Sequence, residues 1–377
     1  MKPLNRIEIV FLILAMTVFS QEQFLKINSD SNQFSIDKLI PHTAVESQDS
    51  TGTCWVFSTL SFLESELLRE GKEEIDLSEM FIVRHIYPEK ALNYFRLHGR
   101  TTFGEGGLSH DVLAAIQRYG IVPEEIYSGK KNNSIIHHQF EMAAILKSML
   151  DAILGLPPKH LTMEWKEALS AVLDSYLGQP PDQFRYKGRD YSPLSFAKHY
   201  LQLDLENYVE LTSFLHHPFY QKFRLEIPDN WSCYQNYWNV TLDELEEVVD
   251  EAIQNGFSVV WDGDVGDKNY ADENTNYAIV PMGEEGNSME NEKEITAEIR
   301  QEKFDNFETT DDHLLHLIGI AHNRNGKKFY LVKDSWYANT TYRGYIYLSR
   351  SYFRLKTVSI MLHKQGIMSS VRKKLNI

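Results

Sequence analysis

The 377-residue chain has only two cysteines, Cys54 and Cys233. A disulfide-rich framework is therefore excluded, and at most one bridge is possible. Positive charge is also scarce. Lys and Arg number 38 against 53 Asp and Glu, for a net charge of −15. A surface of that sign repels a phosphate backbone, so no nucleic-acid partner is expected without a local basic patch. There are no internal repeats, and no long apolar run follows residue 20. What is present is ordinary for a globular chain: 42% hydrophobic and 24% charged residues. Those values exclude a disordered or fibrous protein.

The first twenty residues form a separate object. Lys2 and Arg6 precede a mostly apolar run, Ile9–Phe19, and Val18 and Ser20 suit the −3 and −1 positions of a cut before Gln21. This is the layout of a secretory signal peptide, residues 1–20. Eleven residues are too few to span a bilayer stably. The expectation is a secreted or periplasmic protein with no stable membrane span once the leader is removed.

Beyond it, helical spacing begins at Cys54 with Phe57, Leu60, Leu63 and Leu67. A second helix opens near Asp76-Leu77-Ser78-Glu79, with Asp76 or Ser78 as its cap. Ser109 caps a third, which stops at Gly120. Residues 132–230 read as a mainly helical, polar-faced insertion, with Thr162–Leu177 and Ser192–Leu201 as its clearest helices. Strand-like runs return at Phe257–Trp261, Tyr277–Val280, Leu314–Ala321, Phe329–Lys333 and Tyr345–Ser349. A helical lobe, a helical insertion and a β-rich lobe make an α+β protein.

Two local features carry chemistry. Cys54 starts a helix, where a thiol meets the positive end of the helix dipole and unpaired N–H groups, the setting of a nucleophilic thiolate. The second feature is a hairpin. Leu314–Ala321 and Phe329–Lys333 flank Asn323-Arg324-Asn325-Gly326, a strong turn sequence. If those four residues form the loop, His322 pairs with Lys327, which puts His313 opposite Trp336 with Asp334 diagonal on the same face. An acid beside a histidine fixes its tautomer and stabilises imidazolium. His316 and Asp312 have the other parity and point to the other face.

These residues resemble the papain-like cysteine peptidases, in particular the bleomycin hydrolase and aminopeptidase C branch. The resemblance runs from about residue 35 to the end. It rests on Gln48, Gly52-Thr53-Cys54-Trp55, Leu77-Ser78-Glu79, Gly106-Gly107, Tyr119-Gly120-Ile121-Val122-Pro123, Thr309-Thr310-Asp311-Asp312-His313 and Lys333-Asp334-Ser335-Trp336. It implies a papain-like two-lobed fold, a helical lobe plus a β-barrel-like lobe, over residues 21–377. The distance from Cys54 to His313 far exceeds the ~130–150 residues of papain, and the excess falls in the insertion. The resemblance further implies Cys54 as nucleophile, His313 as base and then acid, and Gln48 as an oxyanion donor beside the Cys54 N–H. Gly106, Gly107 and Trp336 would border the substrate. A C-terminal tail, residues 364–377, would lie in the cleft, with the carboxylate of Ile377 meeting a substrate's free amine. Relatives of this branch form hexamers around an inner cavity, so a homo-oligomer acting on peptides is implied. No cofactor is called for.

Two positions depart from the family pattern. Asp334 stands where Asn is usual, and Tyr337 stands where Gly is usual. They keep two rivals open: a catalytically impaired homologue serving as a binding or assembly protein, and another acyl transferase built on Cys-His-Asp. Elsewhere, His137-His138 and His216-His217 suggest metal only weakly, since adjacent side chains diverge on a helix or strand and no further ligand stands at a metal-site spacing. Trp231, Tyr234, Tyr237 and Trp238 read as core or interface, with Cys233 an inert thiol among them. Asn239-Val240-Thr241 matches a short glycosylation acceptor pattern.

Overall fold

Residues 34–131, 134–157, 161–272, 275–283, 289, 291–336 and 342–377 are described by the computed structural model. The proposed leader and Tyr337 lie outside them. After the first strand, β1 (Phe34–Leu39), come three helices: α1 (Cys54–Arg69), α2 (Glu79–Arg96) and α3 (Ser109–Tyr119). The apolar spacing read from Cys54 is the buried side of α1, with Phe57, Leu60, Leu63 and Leu67 all in the core. Ser78 is the cap of α2 and accepts a hydrogen bond from Phe81 N at 3.1 Å. α3 stops at Gly120, whose φ is +82° and whose missing Cβ would meet the Pro193 backbone at 2.1 Å, so only glycine fits there.

The insertion opens with α4 (Phe140–Leu154) and α5 (Trp165–Leu177), whose Leu146, Leu150, Leu169 and Leu173 join the core of α1–α3. A small hairpin follows, β2 (Phe184–Tyr186) with β3 (Arg189–Tyr191), and then a short helical segment capped by Ser192. That segment continues as a π turn, Phe196–Leu201. The helical stretch ends earlier than the sequence suggests. From Tyr208 the chain already contributes strands to the main sheet, β4 (Tyr208–Thr212) and β5 (Lys222–Phe223). They are short and separated by turns, so neither shows a clear alternation of its own.

The remaining strands are β6 (Tyr237–Asn239), β7 (Val259–Gly263), β8 (Tyr277–Ala278), β9 (His313–Asn323), β10 (Lys328–Lys333), β11 (Tyr345–Ser349) and β12 (Thr357–His363). With β1, β4 and β5 they make a ten-stranded mixed sheet in the order β5-β6-β4-β12-β7-β9-β10-β11-β8. The long β9 shares one edge between two partners, β7 along His313–Leu317 and β1 along Gly319–Asn323. α1 packs on one face of the sheet, its Ser58 hydroxyl donating to Leu314 O at 2.5 Å. The other face is covered by α6 (Leu242–Gln254), the adjoining α8 (Arg350–Lys356) and α9 (Ser369–Leu375), with α7 (Ala297–Asp305) preceding β9. Among the described residues no helix is long and apolar enough to cross a membrane.

The β9–β10 hairpin positions the site, and its register differs from the sequence reading in an informative way. His322 pairs with Lys328, one residue further than a four-residue loop predicts. A bulge then intervenes: Leu331 pairs with Gly319, but Val332 pairs with Leu317. The skipped Ile318 shifts the register by one, so Lys333 meets His316 as predicted. A one-residue slip without that bulge would turn His313 to the wrong face.

Candidate active site

Cys54 is the first residue of α1 and is buried. The first N–H groups of a helix have no partner within it. His313 is the first residue of β9, wholly buried, and its Nε2 lies 3.0 Å from Asp334 Oδ1. Its Nδ1 is buried without a well-aligned hydrogen bond, leaving that nitrogen for the Cys54 thiol. Burial works against charge on this ring, but Asp334 and then Cys54 overcome it and lift the His313 pKa to about 10. Trp336 lies across the imidazole, with ring centroids 3.9 Å apart, and is itself 46% exposed. The indole shields the His313–Asp334 bond from solvent on that side. As parity requires, His316 points away and meets Ser61 Oγ at 2.8 Å, while Asp312 accepts from Val265 N and Gly266 N.

Asp334 is saturated with donors. Its Oδ1 also accepts from Trp336 N at 2.8 Å, and its Oδ2 accepts from the Tyr270 hydroxyl at 2.6 Å. Tyr270 is a site residue that the sequence reading missed. It lies on the loop after β7, far from Asp334 in sequence, and nothing local marks it. The signal was indirect: a carboxylate where an amide is usual has an extra acceptor oxygen and requires a further donor.

Gln48 is buried beside Cys54. Its Oε1 accepts from Ser335 Oγ at 2.6 Å and its Nε2 donates to Thr51 O at 2.5 Å. Ser335 thereby fixes which end of the amide faces the Thr51–Cys54 turn, and one N–H of the amide remains. Gly106 and Gly107 border the site, but they are not an open wall. A Cβ on Gly107 would press into the Trp55 indole at 2.9 Å, and one on Gly106 would lie 2.0 Å from Asp229 Oδ2. These glycines are required by the protein's own packing.

The tail is where expectation and structure part. Residues 369–375 form α9, with Val371 and Leu375 buried against α6, and Lys374 paired with Glu244 at 2.6 Å. The contacts of the tail are with α6 and Tyr220, and no hydrogen bond among the described residues ties Ile377 to Cys54, His313 or Gly106. The apolar spacing Ile367, Val371, Leu375 explains this, since it is one face of a helix. His216 and His217 sit on a turn and do converge, both reaching the Glu226 carboxylate, at 3.3 and 2.8 Å. Asn239 is buried and its amide donates to Phe214 O and His217 O, so it is no glycosylation acceptor.

Comparison with known proteins agrees with this geometry. Residues 32–151 match the papain family cysteine protease model, and residues 95–377 match that of the Peptidase C1-like family. Aminopeptidase G of Lactobacillus delbrueckii subsp. lactis is 21% identical over 383 residues, covering 86% of this chain and 82% of that protein. Aminopeptidase C of the same organism is 22% identical over 407 residues, covering 94% and 86%. The crystal structure of PepW from Lactobacillus rhamnosis HN001 superposes with a TM-score of 0.69 at 18% identity, covering 91% of this chain and 84% of that one. At that identity the structural likeness is one of fold, an α+β papain-like fold. The match over 95–377 takes in His313, Asp334 and every strand of the main sheet but β1, and with it the chain belongs to the Peptidase C1-like family of cysteine peptidases.

Proposed function

We propose that the protein is a thiol aminopeptidase working through Cys54, His313 and Asp334. The observation that carries this is a buried His313 ring that Cys54, at the start of α1, acts on from one side, while on the other its Nε2 meets a carboxylate held by three donors. His313 takes the Cys54 proton, and the resulting imidazolium rests against Asp334. The thiolate sulfur attacks the scissile carbonyl carbon. The oxygen that becomes negative is met by the Cys54 N–H and the remaining N–H of Gln48. His313 then protonates the leaving amine, and water, deprotonated by His313, hydrolyses the acyl-enzyme. The aminopeptidase names of its relatives support action on peptides with a free amine. Export rests on residues 1–20 and is checked by sequencing the N-terminus of the mature protein. Assembly into a homo-oligomer is checked by sedimentation.

The decisive experiment compares the two thiols. Cys54→Ala is expected to abolish hydrolysis of an aminoacyl amide, and iodoacetamide to label Cys54 far faster than Cys233. Equal labelling, with activity surviving the substitution, overturns the assignment, whereas an unsubstituted protein that hydrolyses no aminoacyl amide leaves the impaired-homologue reading in its place.

A further inference from the structure

Adjacent histidines diverge on a helix or strand, but His216 and His217 lie on neither. They sit on the turn between β4 and β5, and their rings come together with centroids 4.6 Å apart. The chain then passes through β5 and returns with Glu226, whose carboxylate faces both rings. His216 Nε2 is 3.3 Å from Glu226 Oε2, and His217 Nε2 is 2.8 Å from Oε1. One ligand atom from each of the three residues lies within 4.8 Å of the other two. Donor atoms held about 2.0–2.1 Å from a tetrahedral ion are about 3.3 Å from one another. The two nitrogen–oxygen separations are close to the edges of such a site.

This arrangement exceeds what an ion pair needs. One protonated imidazole would neutralise Glu226, and two protonated rings so close together repel each other. The rings are also held by groups that carry no charge. His217 stacks on Phe223 at 4.0 Å, and His216 lies nearly parallel to Phe304 of α7 at 6.0 Å. The turn itself is fixed by the buried Asn239, whose amide donates to His217 O at 2.8 Å. Gln301, also on α7, supports the first ring. Its Oε1 accepts from Leu215 N at 2.7 Å, and both ends of its amide reach His216 Nδ1, Nε2 at 2.9 Å and Oε1 at 3.3 Å. His216 therefore finds a partner at Nδ1 in either tautomer, including the one that leaves the Nε2 lone pair for a metal. An outer partner of this kind orients a metal-binding histidine. Two imidazole nitrogens and one carboxylate suit a borderline transition ion, whereas Ca²⁺ and Mg²⁺ take oxygen ligands. All three side chains are partly exposed, Glu226 at 54%, so an ion can enter from solvent and keep water at its open position.

We propose that His216, His217 and Glu226 bind Zn²⁺, or a neighbouring divalent transition ion, as a reversible clasp on the edge of the main sheet. β5 has two residues and is the edge strand, paired with β6. Ligands on either side of it close the chain into a loop around that strand. Gln301 ties the loop to α7, the helix that precedes β9 and His313.

The test titrates the full chain with Zn²⁺ by calorimetry, in a Cys54→Ala background that removes the active-site thiol as a rival ligand. One ion per chain is expected. His217→Ala and Glu226→Gln are each expected to weaken binding by more than tenfold and Gln301→Leu by roughly tenfold, because loss of an outer partner alone costs about 10–100-fold. Glu226→Gln keeps an acceptor beside both rings, so it removes the charge without emptying the site. Metal and proton compete for the imidazoles, so affinity should fall as the pH is lowered from about 7.5 to about 5.5. Co²⁺ in place of Zn²⁺ should show no thiolate charge-transfer band, the mark of binding at Cys233 instead. The unsubstituted protein supplies a readout that depends on no variant's folding. Zn²⁺ should shield His216 and His217 from diethyl pyrocarbonate, as mapped by mass spectrometry, and leave the exposed His98 and His199 reactive. His216 and His217 reacting as fast with Zn²⁺ as without it would overturn the proposal. So would a one-to-one site that survives both His217→Ala and Glu226→Gln.

Discussion

Asp334 concentrates the residue-scale chemistry. A full negative charge beside His313 favours imidazolium, and this is the largest of the effects raising its pKa to about 10. An opposite charge at such range shifts a pKa by about 1–3 units. Asp334→Asn is therefore expected to move the basic limb of the pH–rate profile downward, because that limb reports loss of the His313 proton. Tyr270 acts in the other direction. Its hydroxyl donates into Asp334 and disperses the carboxylate's charge, so Tyr270→Phe should move the limb upward, by less. With Asn at 334 there is no charge to disperse, and the Phe substitution should then shift nothing, a non-additivity that marks the two groups as one unit. Equal shifts in both backgrounds would show that Tyr270 acts independently of Asp334. The same charge couples to stability. His313 has a folded pKa above its unfolded value near 6.5, so its contribution is fully present below that pH and is lost as pH rises through about 10. Asp334→Asn should destabilise more at pH 6 than at pH 10.

At the scale of elements, the sequence revealed what depends on local pattern and on one strong turn. The start of α1 at Cys54, the Ser78 cap and the stop at Gly120 follow from spacing and backbone chemistry alone. The meeting of His313 with Trp336 and Asp334 was also legible, though the loop length was misjudged by one residue and the bulge at Ile318 restored the register. A buried apolar strand carries no mark that distinguishes a bulged residue from a paired one, so neither error was visible. The approach of Asp229 to Gly106 was hidden for another reason: Asp229 comes from a loop of the segment taken for helical insertion, and only tertiary packing brings it there. The tail was misplaced because the family pattern outweighed its own helical spacing. Its docking gives a direct check. Leu375 is 1% exposed against α6, and Leu375→Ala is expected to cost about 2–5 kcal/mol, visible as a lower thermal midpoint. The preference for free over blocked amines should not change, because α9 docks on α6, on the face of the sheet opposite α1 and Cys54. A changed preference with an unchanged midpoint would place the tail in the cleft after all.

Across the whole molecule, the two lobes meet over a buried polar layer beneath Gln48 and Ser335. Lys333 donates to Thr43 O at 2.8 Å and to Ser61 Oγ at 2.6 Å, and Glu64 accepts from Thr43 Oγ1 and Leu77 N. A small cavity between the lobes is lined by Glu46, Glu64, Glu79, His316 and Lys333 among others. Asp76, Glu124, His42 and Lys130 act on this layer from its rim. Burial dominates here and pushes the carboxyls up: Glu64 and Glu124 to about 8, Asp76 to about 6, with Glu46 and Glu79 also raised. A carboxyl whose folded pKa is raised stabilises the fold below its unfolded value, and that stability is lost as pH rises through the folded one. His42 and His316 are driven the other way by burial, so the stability they give is complete once pH exceeds about 6.5. Lys333, lowered to about 8, returns stability only above that pH. Between pH 6.5 and 8 the carboxyls therefore act in one direction together with His313, and the urea midpoint should fall across that interval. Glu64→Gln keeps an acceptor for Leu77 N and cannot ionise, so the fall should be shallower in that variant. A midpoint that stays level or climbs from pH 6.5 to 8, with Glu64→Gln matching the wild type, would mean that these carboxyls are already ionised between the lobes.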